Sequence, residues 1–126
     1  MSIINISSIA GKRGSKNNSA YVATKFALNG MTQSLAKEFG KESIRVNAIC
    51  PVLIKTEGLL SALMEDDSPV ETTIETFFEQ FTKSQTALNR LPTGNEVAKM
   101  VTFLASNNAS AITGQCINID CGVFPQ

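Results

Sequence analysis

The sequence contains no histidine. That excludes a Ser-His-Asp triad and any histidine-ligated metal site within the chain, and no metal ligand set is assigned. Cysteine is scarce. Cys50, Cys116 and Cys121 are odd in number and lack metal-binding spacing, which argues against a disulfide framework or zinc site and fits a reducing compartment. Cys50 and Cys116 read as small buried apolar side chains. No apolar run approaches the length needed to cross a bilayer, and the residues near Met1 lack the basic region and apolar core of a secretory signal. A cytoplasmic protein with no membrane partner is expected. Net charge is also absent: eleven Lys and Arg balance eleven Asp and Glu. No long-range field therefore recruits nucleic acid or an anionic membrane. No Gly-x-Gly-x-x-Gly or Gly-x-x-x-Gly-x-Gly stretch occurs anywhere. The glycine-rich turn that receives a pyrophosphate at a helix start is missing.

What is present suits one core and not two, since the chain has 126 residues. Ser2 to Ile6 reads as a strand whose near-continuous apolar run suits a sheet covered on both faces. A loop with Gly11 and Gly14 follows. A helix is predicted from about Ala20 to Phe39, with Phe26, Met31, Leu35 and Phe39 among its apolar positions, Asn18 or Ser19 as cap and Gly40 as its stop. Ile44 to Cys50 is a second strand. Strand, helix and strand make a βαβ unit, so both strands end on one edge of the sheet. Residues 57–85 are acidic, with seven acids and no base from Glu57 to Glu79, and Pro69 divides them into two helices. Thr93 and Glu96 have capping-box spacing ahead of a helix from Gly94 to about Ser106. Cys116 to Ile119 is a third strand.

The chemistry-bearing stretch runs from Asn5 to Phe26. Ser7 and Ser8 stand at the carboxyl end of the first strand, where open α/β sheets gather their chemistry. Tyr21, the only tyrosine, lies thirteen residues after Ser8, and Lys25 follows four residues later. Positions i and i+4 share a helix face, so phenol and ammonium point into one space. This Asn-Ile-Ser-Ser, then Tyr-x-x-x-Lys, resembles the short-chain dehydrogenase/reductase family. Pro51-Val52-Leu53-Ile54-Lys55-Thr56 is similar to that family's Pro-Gly-x-Ile-x-Thr, with Val52 in place of the usual glycine. Valine resists positive φ, so the turn is expected to use ordinary dihedrals. Asn89-Arg90-Leu91, Glu96-Val97-Ala98, Phe103 to Ser106, Thr113-Gly114 and Asp120 look like the family's final third, with Cys121 where glycine is usual.

The resemblance implies an α/β fold: the C-terminal half of a doubly wound parallel (Rossmann) sheet, three parallel strands with flanking helices. Residues 1–126 would be that half of one NAD(P)-binding domain, 57–85 its substrate lid, and the glycine-rich N-terminal half absent. A split gene, a truncated reading frame and a deliberately shortened chain fit equally. The implied activity is hydride transfer between a nicotinamide, NAD or NADP, and a small carbonyl or alcohol substrate. Tyr21 would exchange the proton, Ser8 (or Ser7) would bond the substrate oxygen, and Lys25 would bond the nicotinamide ribose. Pro51 would shape the turn that holds the nicotinamide, with Ile54 offering its backbone and Thr56 its hydroxyl to the carboxamide.

A lysine about 4 Å away favours a phenolate by roughly 1 kcal/mol in water but about 4 kcal/mol at an effective dielectric near 20. The chemistry therefore requires a desolvated site, and the chain alone is expected to be an inactive fragment. A homo-oligomer, or association with the missing half, is expected through the open edge of the first strand. The alternative reading is a non-catalytic half-domain that serves as an interaction or oligomerisation module. Serine hydrolase chemistry at Ser8 lacks a histidine base.

Overall fold

The computed structural model describes residues 1–68 and 70–126. Its strands are β1 (Ser2–Ile6), β2 (Arg45–Pro51) and β3 (Cys116–Ile119); its helices are α1 (Ser19–Phe39), α2 (Glu57–Leu63), α3 (Ile74–Gln85) and α4 (Gly94–Ala105). The strands form one parallel sheet in the order β1-β2-β3, with Ile6 opposite Ile49 and Pro51 opposite Ile119. The expected open sheet with flanking helices is present. Pro69, read from sequence as the divider of the acidic segment, lies outside the described residues; α2 and α3 flank it. Among the described residues no helix is long and apolar enough to cross a membrane.

Alternation along each strand sorts the two faces. Ile49 of β2 packs with Leu104 and Ala109, joined by Ile4, Ile117 and Ile119, so that face carries α4. Cys50 points the other way and packs with Ile9, Val52 and Val123. That second face carries α1, which sets Thr32 against Asn5 at 3.0 Å and Asn29 against Cys50 at 3.8 Å. Because β2 is central, Val46, Ala48, Ile49 and Cys50 are all fully buried. Asn47 is buried with them and satisfied: its Nδ2 donates to Ile112 O at 2.8 Å and its Oδ1 accepts from Gln115 N at 3.0 Å. One buried amide thus sets where the chain enters β3.

Local details refine the expectations. The inward face of α1 is Asn29, Thr32 and Ala36, not the large apolar residues: Phe26, Met31 and Phe39 are exposed. Small and polar side chains let the helix lie close to the sheet, which leaves the bulky ones outside. The sheet carries a helix on each face, and β1 is its exposed edge strand, with Ile3 and Ile6 open to solvent. Gly40 is the C-cap at which α1 ends, as expected, but without a left-handed turn. It keeps right-handed dihedrals and leads into a 3-10 turn, and Ser43, at φ 58°, reverses the chain. Asn18 occupies the helix-capping position, but its side chain makes no capping bond. The capping box at Thr93 and Glu96 is formed as expected.

Val52 is not among the residues with positive φ, and it is buried against Ile9 and Cys50. The turn after β2 therefore accommodates valine in place of glycine. Cys121 does sit at positive φ, 53°, held there by hydrogen bonds from Ala87 N and Leu88 N to its carbonyl. A left-handed non-glycine residue costs roughly 1–2 kcal/mol, of which the flexibility of an unfolded glycine would return about half. Cys121→Gly is expected to raise stability by about 0.5–1 kcal/mol, read as a higher urea midpoint at unchanged slope. A lower midpoint would mean that thiol packing outweighs the backbone strain.

Candidate active site

The carboxyl end of β1 runs directly into the first candidate residues. Ser7 N donates to Ile49 O at 2.8 Å, extending the ladder by one residue. Its side chain is buried, with Oγ donating to Lys25 O at 3.4 Å. Ser8 caps the 3-10 turn Ile9–Gly11, and its Oγ accepts from Ala10 N at 3.1 Å. That bond leaves the Ser8 hydroxyl proton free to be donated. The turn lies hard against α1. Asn29 Nδ2 donates to Gly11 O at 2.9 Å, and a Cβ on Gly11 would stand 2.6 Å from Lys25 O. Gly11 is therefore required by close approach of two backbones, a role beyond the breaking of structure read from its sequence.

Tyr21 and Lys25 project from the first turns of α1. The Lys25 ammonium lies 5.4 Å from the Tyr21 ring centroid and donates to Ile6 O at 3.0 Å. That bond ties the helix to the last residue of β1, one step before Ser7. Ser8, Tyr21 and Lys25 are thus brought to one edge of the sheet. Tyr21 is 46% exposed, so the phenol faces open solvent in this chain, and no hydrogen bond of its hydroxyl occurs among the described residues.

Pro51 ends β2 at the same edge. Beyond it, Ile54 O accepts from Thr56 N at 2.7 Å. Among the described residues the Ile54 N–H has no acceptor. Thr56 caps α2, its Oγ1 accepting from Leu59 N at 3.2 Å, which leaves its hydroxyl proton available. An N–H and an O–H at a strand end are donors suited to the oxygen of a carboxamide. Two of the three Lys25 ammonium protons likewise remain for hydroxyl groups. The donor set fits the nicotinamide and ribose end of a dinucleotide, while nothing in the chain offers the glycine-rich cradle for its pyrophosphate. Among the described residues no hydrogen bond joins Ile54 or Thr56 to Ser8, Tyr21 or Lys25.

Cys50 lies beneath the site but is not a nucleophile. Burial pushes its thiol above the ordinary range, against the opposing pull of the Lys12 ammonium and of hydrogen bonding with Ser7 and with Asn29, whose Oδ1 accepts from the thiol. A cleft of about 510 Å³ opens between α4 and β3, lined by Arg90, Met100, Phe103 and Cys121. It includes none of the candidate residues. Four charged residues line it, Arg90, Glu96, Lys99 and Asp120, of which Arg90 and Glu96 pair at 2.7 Å.

The hydrogen bond from Arg90, then that from the Thr93 backbone, holds the Glu96 carboxyl near 2, below its ordinary 4.5. A depressed carboxylate stabilises the fold above 4.5, and that contribution is lost as pH falls through about 2. Between those values the urea midpoint of the parent should fall more steeply than that of Glu96→Gln, which keeps the capping acceptor. Parallel curves would mean that the pair contributes nothing to folding.

Comparison with known proteins decides the family. The family model described as enoyl-(acyl carrier protein) reductase matches residues 1–124. The chain belongs to the short-chain dehydrogenase/reductase family. A diacetyl reductase of the (S)-acetoin-forming type from Staphylococcus aureus is 40% identical over 124 residues, which are 96% of this chain and 46% of that protein. Among solved structures, actinorhodin polyketide ketoreductase with NADPH superposes with a TM-score of 0.87 at 32% identity, over 97% of this chain and 46% of that one. 4-Hydroxyisoleucine dehydrogenase complexed with NADH gives 0.75 at 35% identity, over 96% and 45%. The three parallel strands are therefore part of a Rossmann-type sheet. This short-chain dehydrogenase/reductase chain spans about half the length of the curated relatives it matches.

Proposed function

We propose that this chain supplies the catalytic half of a nicotinamide-dependent oxidoreductase that interconverts small carbonyl and alcohol compounds. The observation that carries the reading is the convergence at one sheet edge. Lys25 Nζ is anchored on Ile6 O and lies over the Tyr21 ring, and the Ser8 turn packs on the same helix. The cofactor, NAD or NADP, would supply or accept the hydride at the substrate carbon. In the reducing direction Tyr21 gives its hydroxyl proton to the substrate oxygen. Ser8, whose Oγ is steadied by Ala10 N, donates to that same oxygen and orients it. Lys25 bonds the nicotinamide ribose and favours the tyrosinate left behind. Ile54 N–H and Thr56 O–H hold the carboxamide, and Pro51 aims the loop that carries them.

Residues 57–85 act in this reading as the substrate lid. Phe77, Phe78 and Phe81 pack edge to face or tilted within α3, giving the lid an apolar inner side beneath its exposed acids. The 46% exposure of Tyr21 supports an inactive isolated chain, because water screens Lys25 from the phenol. In this reading a nucleotide-binding half sits on the free edge of β1. The test is transfer of deuteride from reduced NAD or NADP to a small diketone, with and without that half supplied from a relative. Transfer only in the complemented sample is expected; no transfer in either would overturn the reading.

A second reading is favoured by a separate observation. Phe26, Met31 and Phe39 of α1 are exposed, apolar surface of the kind an oligomer covers. As a non-catalytic interaction module the chain would bind its partner equally well after Tyr21→Phe and would never show hydride transfer.

A further inference from the structure

The segment that leaves the Ser8 turn is fastened to the opposite edge of the sheet. Lys12 N donates to Ile9 O at 2.9 Å and closes the turn that Ser8 begins. The Lys12 ammonium donates to Cys116 O at 2.6 Å and to Gln126 Oε1 at 2.7 Å. The guanidinium of Arg13 lies 5.5 Å from the centre of the Phe124 ring. These anchors are themselves held. Asp120 accepts from Gly122 N at 3.0 Å and from Phe124 N at 2.8 Å, and Asn118 Nδ2 donates to Phe124 O at 2.8 Å. The end of the chain is thus a fixed strut that reaches back across more than a hundred residues of sequence to the Ser8 turn.

We propose that Lys12 is a positioning residue for Ser8, and that the carboxyl-terminal segment, through Gln126, sets the geometry of the candidate site. The role assigned to Ser8 rests on the functional reading above. The bond from Ala10 N selects one orientation of the Ser8 hydroxyl, and that bond exists only while the turn is closed. Gly11 N donating to Ser8 O at 2.9 Å and Lys12 N donating to Ile9 O close it. Charge-assisted hydrogen bonds are roughly twice as strong as neutral ones, so the ammonium is the firm end of this chain of contacts. When it is released, the turn frays from its exit, Ala10 N leaves Ser8 Oγ, and the hydroxyl samples its other staggered positions.

The test is amide hydrogen exchange, residue by residue, on the full 126-residue chain. In Lys12→Met the amides of Ala10 and Gly11 should exchange at least about tenfold faster, while those of Ile49 and Cys50 in the central strand stay within about twofold. Lys12→Arg should restore most of the protection. Gln126→Ala, which removes only one anchor, should give a smaller acceleration at the same two amides. Ser8→Ala should accelerate Ala10 alone. Unchanged exchange at Ala10 and Gly11 in Lys12→Met, or an equal acceleration across β2, would overturn the proposal. So would failure of arginine to rescue. Turnover that survives Ser8→Ala and Tyr21→Phe in a complemented enzyme would instead overturn the catalytic reading and leave the exchange pattern standing.

Discussion

Tyr21→Phe is expected to lower hydride transfer by roughly 10²–10⁴-fold, the range of a general acid–base group, and to leave the unfolding midpoint unchanged. The substitution removes one oxygen. That oxygen makes no hydrogen bond among the described residues, and the ring it sits on is 46% exposed, so the fold loses nothing. The ammonium of Lys25 keeps its bond to Ile6 O, which does not depend on the phenol. The loss should therefore appear in kcat at an almost constant KM for the cofactor. The measurement belongs in the complemented enzyme, where a nucleotide-binding half covers the site. Activity within tenfold of the parent would show that another group carries the proton, and the chain has no histidine to do so.

The sequence announces the parts of this fold whose signal is local. The strands, the capping box at Thr93 and the helix that carries Tyr21 and Lys25 all follow from short-range patterns, and their boundaries fall within a residue or two. What is not legible depends on close approach and long separation. Phe26 and Met31 are legible as apolar but not as exposed, because apolar type is visible in sequence and interaxial distance is not. Asn29 and Thr32 on the inner face of α1 carry no hydrophobic signal. The bond from Lys12 to Cys116 O spans 104 positions, and no periodicity reports it. The positive φ at Cys121 is hinted at by the glycine expected there, yet only the bonds from Ala87 and Leu88 show why a cysteine tolerates it.

For the candidate site, type and order of residues are readable because the chemistry requires them. Which serine faces outward is not. Ser7 and Ser8 are adjacent and chemically identical, and alternation alone cannot say which side α1 covers. The structure separates them through burial: Ser7 turns its hydroxyl inward to Lys25 O, and Ser8 caps the following turn. The intervening loop leaves the sheet, packs against α1 at Gly11, and enters the helix at Ser19, nearly two turns before Lys25.

The approach at Gly11 leads to the second large effect. Gly11→Ala should destabilise the fold by about 3 kcal/mol and lower turnover of the complemented enzyme by about 10²-fold. The added Cβ would lie 2.6 Å from Lys25 O, 2.9 Å from Lys25 C and 2.6 Å from Asn29 Nδ2. Two of these atoms are helix backbone and cannot rotate aside. Either the turn lifts from α1 or the helix shifts, and overpacking of this kind costs roughly 1–3 kcal/mol. Lifting the turn also breaks the bond from Asn29 Nδ2 to Gly11 O, and an unsatisfied buried donor costs about 1–3 kcal/mol more. A whole domain holds only about 5–15 kcal/mol, so the loss is readily measured by urea unfolding. The catalytic effect has a separate cause: Ser8 lies on the turn and Tyr21 on the helix, and a misplacement of about 1 Å can cost 10²-fold. Gly14→Ala is the control. It lies in the same loop with no atom within 4 Å of an added Cβ, and should change neither property. Equal effects at both positions would show that loop flexibility, and not the contact with Lys25, is what glycine provides here.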